Sequence, residues 1–273
     1  MLYAARVGRT SIRGVLKELK DAGVTSLPGT SAEVLVPRVR DRIAGARITT
    51  SEWKEVISTA HEVGLPTTST VMYGHCETAA ELAEHLILLR DMQRVSTGSI
   101  GGICSESAVG FTEFVPLSFV AADAPMATKR ESFVKESVRA EGTRVGTHES
   151  AAAAKIPSPM RRGPSGEQVL LLHAVARIAL NRDIPNIQAS WVKEGPRMAQ
   201  LLLQSGCNDL GGTLINESIS TAAGAKHGQL MKPSQIRALV RGLNPEMAWG
   251  DGSADASSAS AQPHDGGELR YPW

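Results

Sequence analysis

The sequence predicts an α/β fold built from parallel βαβ units, organised as a partial βα-barrel. Three observations predict it. Capped amphipathic helices alternate with short β-type runs, which calls for parallel strands joined by helical crossovers. Each β-type run empties into its own polar group, as a site built around a barrel rim requires. No Gly-x-Gly-x-x-Gly opens a helix, so the single phosphate-binding switch point of a doubly wound sheet is missing.

The first predicted helix starts at Ser11 and buries Ile12, Val15, Leu16 and Leu19, with Gly23 as its stop. Val24 to Leu27 reads as a strand running into Pro28-Gly29-Thr30. Thr49 and Glu52 stand at capping-box spacing before a helix with a Trp53, Val56, Ile57, Ala60 stripe that ends at Gly64. Residues Pro66 to Tyr73 are β-type and lead into Gly74-His75-Cys76-Glu77. Thr78 and Glu81 open the next helix, striped by Leu82, Leu86, Leu89 and Met92. A β-type segment follows from Phe111 to Val120.

Ser165 and Gln168 cap a helix reaching Leu180, Ile184 to Val192 reads as a strand, and Pro196 suits the first turn of a helix burying Leu201 to Leu203. Cys207 to Leu210 is a short strand before Gly211-Gly212-Thr213, and a last helix runs from about Ser234 to Gly242. Two stretches break the pattern and read as flexible insertions: 95–110, rich in Gly and Ser, and 127–163, rich in alanine and basic residues. The expected organisation is a barrel region over 1–249 and a disordered tail over 250–273.

Composition narrows the function. With 29 basic and 28 acidic side chains and 4% aromatics, the chain has neither the charge footprint nor the stacking surface of a nucleic-acid binder. No apolar run approaches the ~18 residues of a membrane span, and no signal peptide is evident. Cys76, Cys104 and Cys207 are odd in number and widely spaced, which argues against a disulfide framework and fits a reducing, cytoplasmic setting.

Polar residues at the strand ends are the candidate site residues. His75 and Glu77 form the densest cluster; they could hold a ligand, or they could belong to a strand-to-helix turn with its acid near a helix start. No metal site is expected, because zinc needs four ligands and no second Cys/His pair appears. Thr213 and Glu217 flank a glycine turn whose amides could hold an anion, or which could be a simple turn. Gln188 and Lys193 have opposite parity, so one extended strand would not aim both inward. Trp191 is equally suited to core packing or stacking. Glu33 and Glu113 complete the set; either could bind an amino or ribose group, or be an ordinary surface carboxylate. No nucleophile–base arrangement is readable, so the catalytic residues stay unassigned.

Five segments in matching order carry a resemblance: LKDAGVTSLPGTSAEVL (19–35), TSTVMYGHCE (68–77), FTEFVPLSFV (111–120) with Ala124-Pro125, IPNIQASWVKEG (184–195) and NDLGGTLINESIS (208–220) with Ala223-Gly224. The chain resembles the FO synthase family, in the half that joins tyrosine to 5-amino-6-(D-ribitylamino)uracil. Menaquinone-pathway radical SAM enzymes are similar in the Met-Tyr-Gly-His-x-Glu stretch. The resemblance implies a radical SAM-type βα (TIM-like) barrel, S-adenosyl-L-methionine and a 4Fe-4S cluster as cofactors, and a transferase role in coenzyme F420 biosynthesis. It implies the other FO synthase half as a separate subunit or fused domain. Glu33, His75, Glu77, Glu113, Gln188, Lys193, Thr213 and Glu217 fall in the matched segments as substrate or S-adenosyl-L-methionine contacts.

The family's Cys-x3-Cys-x2-Cys motif is absent, and only about five strand-like segments occur. Both point to the C-terminal strands and helices of such an enzyme, through a truncated gene model or a split subunit, with this chain inactive by itself. The alternatives are a non-catalytic binding or regulatory module that kept the pocket and lost the cluster, or a menaquinone-pathway radical SAM enzyme.

Overall fold

The computed structural model describes residues 1–45, 47–98, 109–122, 160–214 and 218–242. Four helices precede the first strand: α1 (Leu2–Val7), α2 (Ile12–Asp21), α3 (Pro37–Ala44) and α4 (Thr50–Glu62). Strand β1 (Thr67–Tyr73) leads through α5 (Ala79–Ser96) to β2 (Phe111–Ser118). Then come α6 (Gly166–Leu180), β3 (Gln188–Ala189), α7 (Trp191–Glu194), α8 (Pro196–Gln204), β4 (Asp209–Leu210), α9 (Ser218–Ala222) and α10 (Pro233–Arg241).

The three predicted capping boxes are all present. Thr49, Thr78 and Ser165 each accept the N–H three residues on, and Glu52, Glu81 and Gln168 return the bond. These reciprocal bonds satisfy helix-end donors and so fix where each chain segment turns away from the sheet.

All the strands are parallel. β1 pairs with β2, β3 pairs with β4, and single bridges join Leu27 to Thr67 and Phe114 to Ile187. The lateral order is therefore Leu27, β1, β2, β3, β4, each segment beside the next in sequence, with no reversal. Each crossover carries at least one helix, as parallel pairing demands.

Side chains alternate between two faces. Thr67, Ser69, Val71 and Tyr73 are buried and Thr68, Thr70 and Met72 are half-buried. The buried set joins Phe111, Phe114 and Ile187 against Trp53, Ile57, Leu86, Leu89, Leu172 and Leu202 of the helices. Packing on this face supplies the main apolar burial, at roughly 25 cal/mol per Å².

Between Thr67 and Ser69 the register slips: Thr67 faces Phe111, but Ser69 faces Phe114. That extra residue in β2 reverses the alternation, so Glu113 lies on the face opposite Phe111 and Phe114. On the outer side of β2, Gln93 of α5 stands in for a strand residue. Its Oε1 accepts the Phe111 N–H at 2.6 Å, and its Nε2 donates to the carbonyls of Phe111 (3.2 Å) and Asp183 (2.9 Å).

Several expectations are corrected. Val24 to Leu27 forms one bridge at Leu27 and no strand. Ile184 to Val192 is a strand only at Gln188–Ala189, because the Ser190 carbonyl accepts the N–H groups of Lys193 and Glu194 and winds the chain into α7. Leu201 is exposed while Leu202 and Leu203 are buried. Helix α3 was not anticipated; Arg38, Arg40, Asp41 and Arg42 dilute its apolar stripe of Val39 and Ala44. Within the two stretches expected to be insertions, α5 continues to Ser96 and Met160–Gly163 packs against the rest of the fold. Residues 99–108, 123–159 and the 250–273 tail lie outside the described residues, and so does Cys104.

Candidate functional site

At the end of β1, Gly74 takes φ +90°, and a Cβ there would run into Pro164 and lie 2.9 Å from the Gly163 carbonyl carbon. This close approach brings the chain before α6 onto the His75–Glu77 turn. Glu77 accepts the N–H groups of Gly74 (2.7 Å) and His75 (2.9 Å). Arg161 ion-pairs with its carboxylate and donates to its backbone carbonyl at 2.8 Å.

His75 is equally committed. Nε2 lies 2.8 Å from the Met72 carbonyl, so it carries the proton, and Nδ1 accepts the Cys76 N–H at 2.7 Å. Burial holds the imidazole's pKa below its ordinary value, despite the Glu77 carboxylate 3.0 Å from Nδ1. The polar atoms of this cluster therefore brace a buried turn. Arg161 was hidden in a basic stretch that sequence reasoning set aside.

On the other face of the sheet, three side chains from adjacent strands converge. Gln188 of β3 donates to Glu113 of β2 at 3.2 Å and also bonds the Asp209 carboxylate of β4. All three are half-buried. Burial pushes the Glu113 carboxyl above its usual range, and the negative charge of Asp209 adds to the effect. Burial likewise raises Asp209, with Gln188 opposing it. One amide thus serves two carboxyls that retain spare acceptor capacity, an arrangement suited to a ligand rich in N–H and O–H donors. Asp209 was not among the sequence candidates; its register pairing with Gln188 is the missing signal.

The remaining candidates are scattered over other elements. Lys193 is half-buried on α7, where helical geometry, rather than strand parity, sets its direction. Thr213 is exposed after β4, and Glu217 lies outside the described residues. Trp191 is buried and donates from Nε1 to the Gly212 carbonyl at 3.0 Å. Glu33 is half-buried at φ +47° and pairs with Arg47 at 3.0 Å, while its carbonyl accepts the Met72 N–H. A left-handed non-glycine residue is costly, which marks this loop as held in place by its surroundings.

Between α5 and α6, on the helix side, a mainly apolar cavity of about 200 Å³ is floored by Tyr73 and Gly74, with Leu86, Leu172 and Arg161 among its walls. Among the described residues no group of three or more His, Cys, Asp or Glu side chains could hold a metal ion. Cys76 and Cys207 are both buried and free. Burial raises both thiols, Cys207 to about 12, so neither is poised as a thiolate ligand.

Residues 148–248 match the CofH/MqnC C-terminal region. The chain is 41% identical over 239 residues to the 5-amino-6-(D-ribitylamino)uracil–L-tyrosine 4-hydroxyphenyl transferase of Methanopyrus kandleri, covering 88% of this chain and 54% of that protein. It is 40% identical over 241 residues to the enzyme of the same name from Archaeoglobus fulgidus, covering 88% of this chain and 58% of that protein. The chain spans about half the length of the curated relatives it matches.

Proposed function

We propose that this chain, which matches the CofH/MqnC C-terminal region over residues 148–248 and is about 40% identical to two such enzymes, is the substrate-binding part of an FO synthase-family 5-amino-6-(D-ribitylamino)uracil–L-tyrosine 4-hydroxyphenyl transferase. The observation that carries this reading is the Glu113–Gln188–Asp209 group on consecutive parallel strands. In this reading the strands are part of a βα-barrel wall and that face is its lumen. Glu113 and Asp209 accept from the ring N–H and ribityl O–H groups of the pyrimidine substrate, while Gln188 holds the two carboxyls in register. Glu33, Lys193 and Thr213 supply rim contacts to tyrosine and S-adenosyl-L-methionine, and His75 and Glu77 hold the rim turn in shape.

The family implies a 4Fe-4S cluster that cleaves S-adenosyl-L-methionine reductively. The residues here do not fit it: Cys76 and Cys207 are buried, protonated thiols, and a cluster needs converging thiolates. The cluster belongs in this proposal to a cysteine-bearing segment outside the sequence described, which with the other FO synthase half would be the protein partner. No helix among the described residues is long and apolar enough to cross a membrane, and we place the protein in the cytoplasm without a nucleic-acid partner.

The test uses the 273-residue chain with a separately produced N-terminal half of the Methanopyrus kandleri enzyme. The chain alone should bind 5-amino-6-(D-ribitylamino)uracil in calorimetry and yield no deoxyadenosine after anaerobic iron–sulfide reconstitution. The mixture should yield deoxyadenosine and the coupled product. Failure to bind the pyrimidine would overturn the proposal, as would about four irons per chain with deoxyadenosine formation by the chain alone. Binding without turnover in the mixture would favour the non-catalytic module.

A further inference from the structure

The edge of β2 that faces β3 has a gap. The Phe114 N–H bonds the Asn186 carbonyl at 2.8 Å, and Phe114–Ile187 is the last bridge before the chain leaves β3 for α7. Donors on that edge recur every second residue. The next position is Pro116, which has no N–H, and the one after is Ser118. No strand faces Ser118 there among the described residues; the Glu194 side chain does. Its carboxylate bonds the Ser118 backbone and hydroxyl and lies 3.5 Å from the Tyr73 hydroxyl. Ser118 and Tyr73 hydroxyls are themselves 3.2 Å apart. Both hydroxyls can donate to the Glu194 carboxylate. One carboxylate thus ties the ends of β1 and β2 to α7 where the backbone ladder has stopped.

Helix α7 transmits that anchorage. Four residues long, it cannot hold its own position, yet Trp191 at its start fixes the Gly212 carbonyl and Lys193 sits beside Glu194. At its end Gly195 takes φ +81° with the His227 ring so close that a Cβ would lie 2.7 Å from Cε1. The β3–α7 turn is therefore gripped from three sides, and Glu194 is the grip that reaches the other strands. Its carboxyl is raised by burial, consistent with a group held away from water.

We infer that Glu194 is a positioning residue of the rim, which acts through α7 to hold both Lys193 and the Gly211–Thr213 turn where a ligand on the Glu113–Gln188–Asp209 face would meet them. The meaning of that rim rests on the proposed function; the mechanical coupling does not. The test compares Glu194→Leu and Glu194→Gln in the full chain, by hydrogen exchange with mass spectrometry and by calorimetry with 5-amino-6-(D-ribitylamino)uracil.

Leucine removes the acceptor; glutamine keeps an oxygen for Ser118 and Tyr73. Glu194→Leu should speed exchange at least tenfold in both 188–195 and 208–213 while α5 and α6 keep their protection. It should also weaken pyrimidine binding at least tenfold. Glu194→Gln should restore both to within about threefold. Should Glu194→Leu fail to fold, Ser118→Ala takes its place, with the same two segments loosening to a smaller extent. Loosening confined to 190–195, uniform loosening, or no rescue by glutamine would each overturn the inference. If the unaltered chain does not bind the pyrimidine, the proposed function fails while the exchange pattern still decides the role of Glu194.

Discussion

The two faces of the sheet handle polar groups in opposite ways. Facing the helices, His61 bonds Thr67 and Ser96, His85 bridges the Leu35 N–H and the Thr70 carbonyl, and His173 reaches the Val169 carbonyl. Burial lowers all three imidazoles to about 4, so they are neutral structural members. On the opposite face Glu113 and Asp209 share one amide and are raised, leaving capacity unspent. The contrast teaches that density of polar residues does not mark a site. Saturation tells these two clusters apart: the crowded His75–Glu77 turn is nearly fully used, whereas the sparser Glu113 group is not.

Acid should break this comparison most strongly. A histidine whose folded pKa is depressed leaves the unfolded state holding more protons between about pH 4 and 6.5. Stability should therefore fall as pH drops through that window, by about 2 kcal/mol per histidine at pH 5. Glu113 and Asp209 act in the opposite sense, because raised carboxyls favour the folded state as they take up protons. Urea unfolding at pH 7 and pH 5 measures the balance. The histidines should dominate, and a midpoint that does not fall at pH 5 would contradict their neutral burial.

Gly74→Ala comes next. A methyl group there meets Pro164 and Gly163 at a left-handed φ, so about 3 kcal/mol of stability should be lost. The same urea measurement checks it, and a wild-type midpoint would show that the Pro164 contact yields freely. The smallest effect on stability belongs to Glu113→Gln, within about 1 kcal/mol, since the side chain is only half-buried and glutamine is a neutral isostere. Pyrimidine binding should nevertheless weaken about tenfold in calorimetry, as one lost charged acceptor implies. Unchanged binding would remove Glu113 from the site.

The helix boundaries were legible in sequence because each capping box needs only two residues three apart. Thr49/Glu52, Thr78/Glu81 and Ser165/Gln168 could be read without tertiary information. Strand extents were not, because Val24–Leu27 and Ile184–Val192 have β-type composition but their pairing depends on neighbours distant in sequence. The faces were legible only up to the register slip. Strict alternation from Phe111 would aim Glu113 at the helices, and the extra residue in β2 turns it away. Arg161 and Glu194 escaped notice for a related reason: the groups they satisfy, the Glu77 turn and the Ser118 N–H, belong to other elements.

Gln93 has a consequence for how this chain tolerates change in length. By holding both backbone groups of Phe111 and the Asp183 carbonyl, it fixes where β2 begins independently of the path leading there from α5. Closing a longer path between two clamped ends costs only about 0.6 kcal/mol per doubling. A change in chain length ahead of Phe111 should therefore leave the start of β2 where Gln93 sets it, and Gln93 is the residue such a change must leave alone.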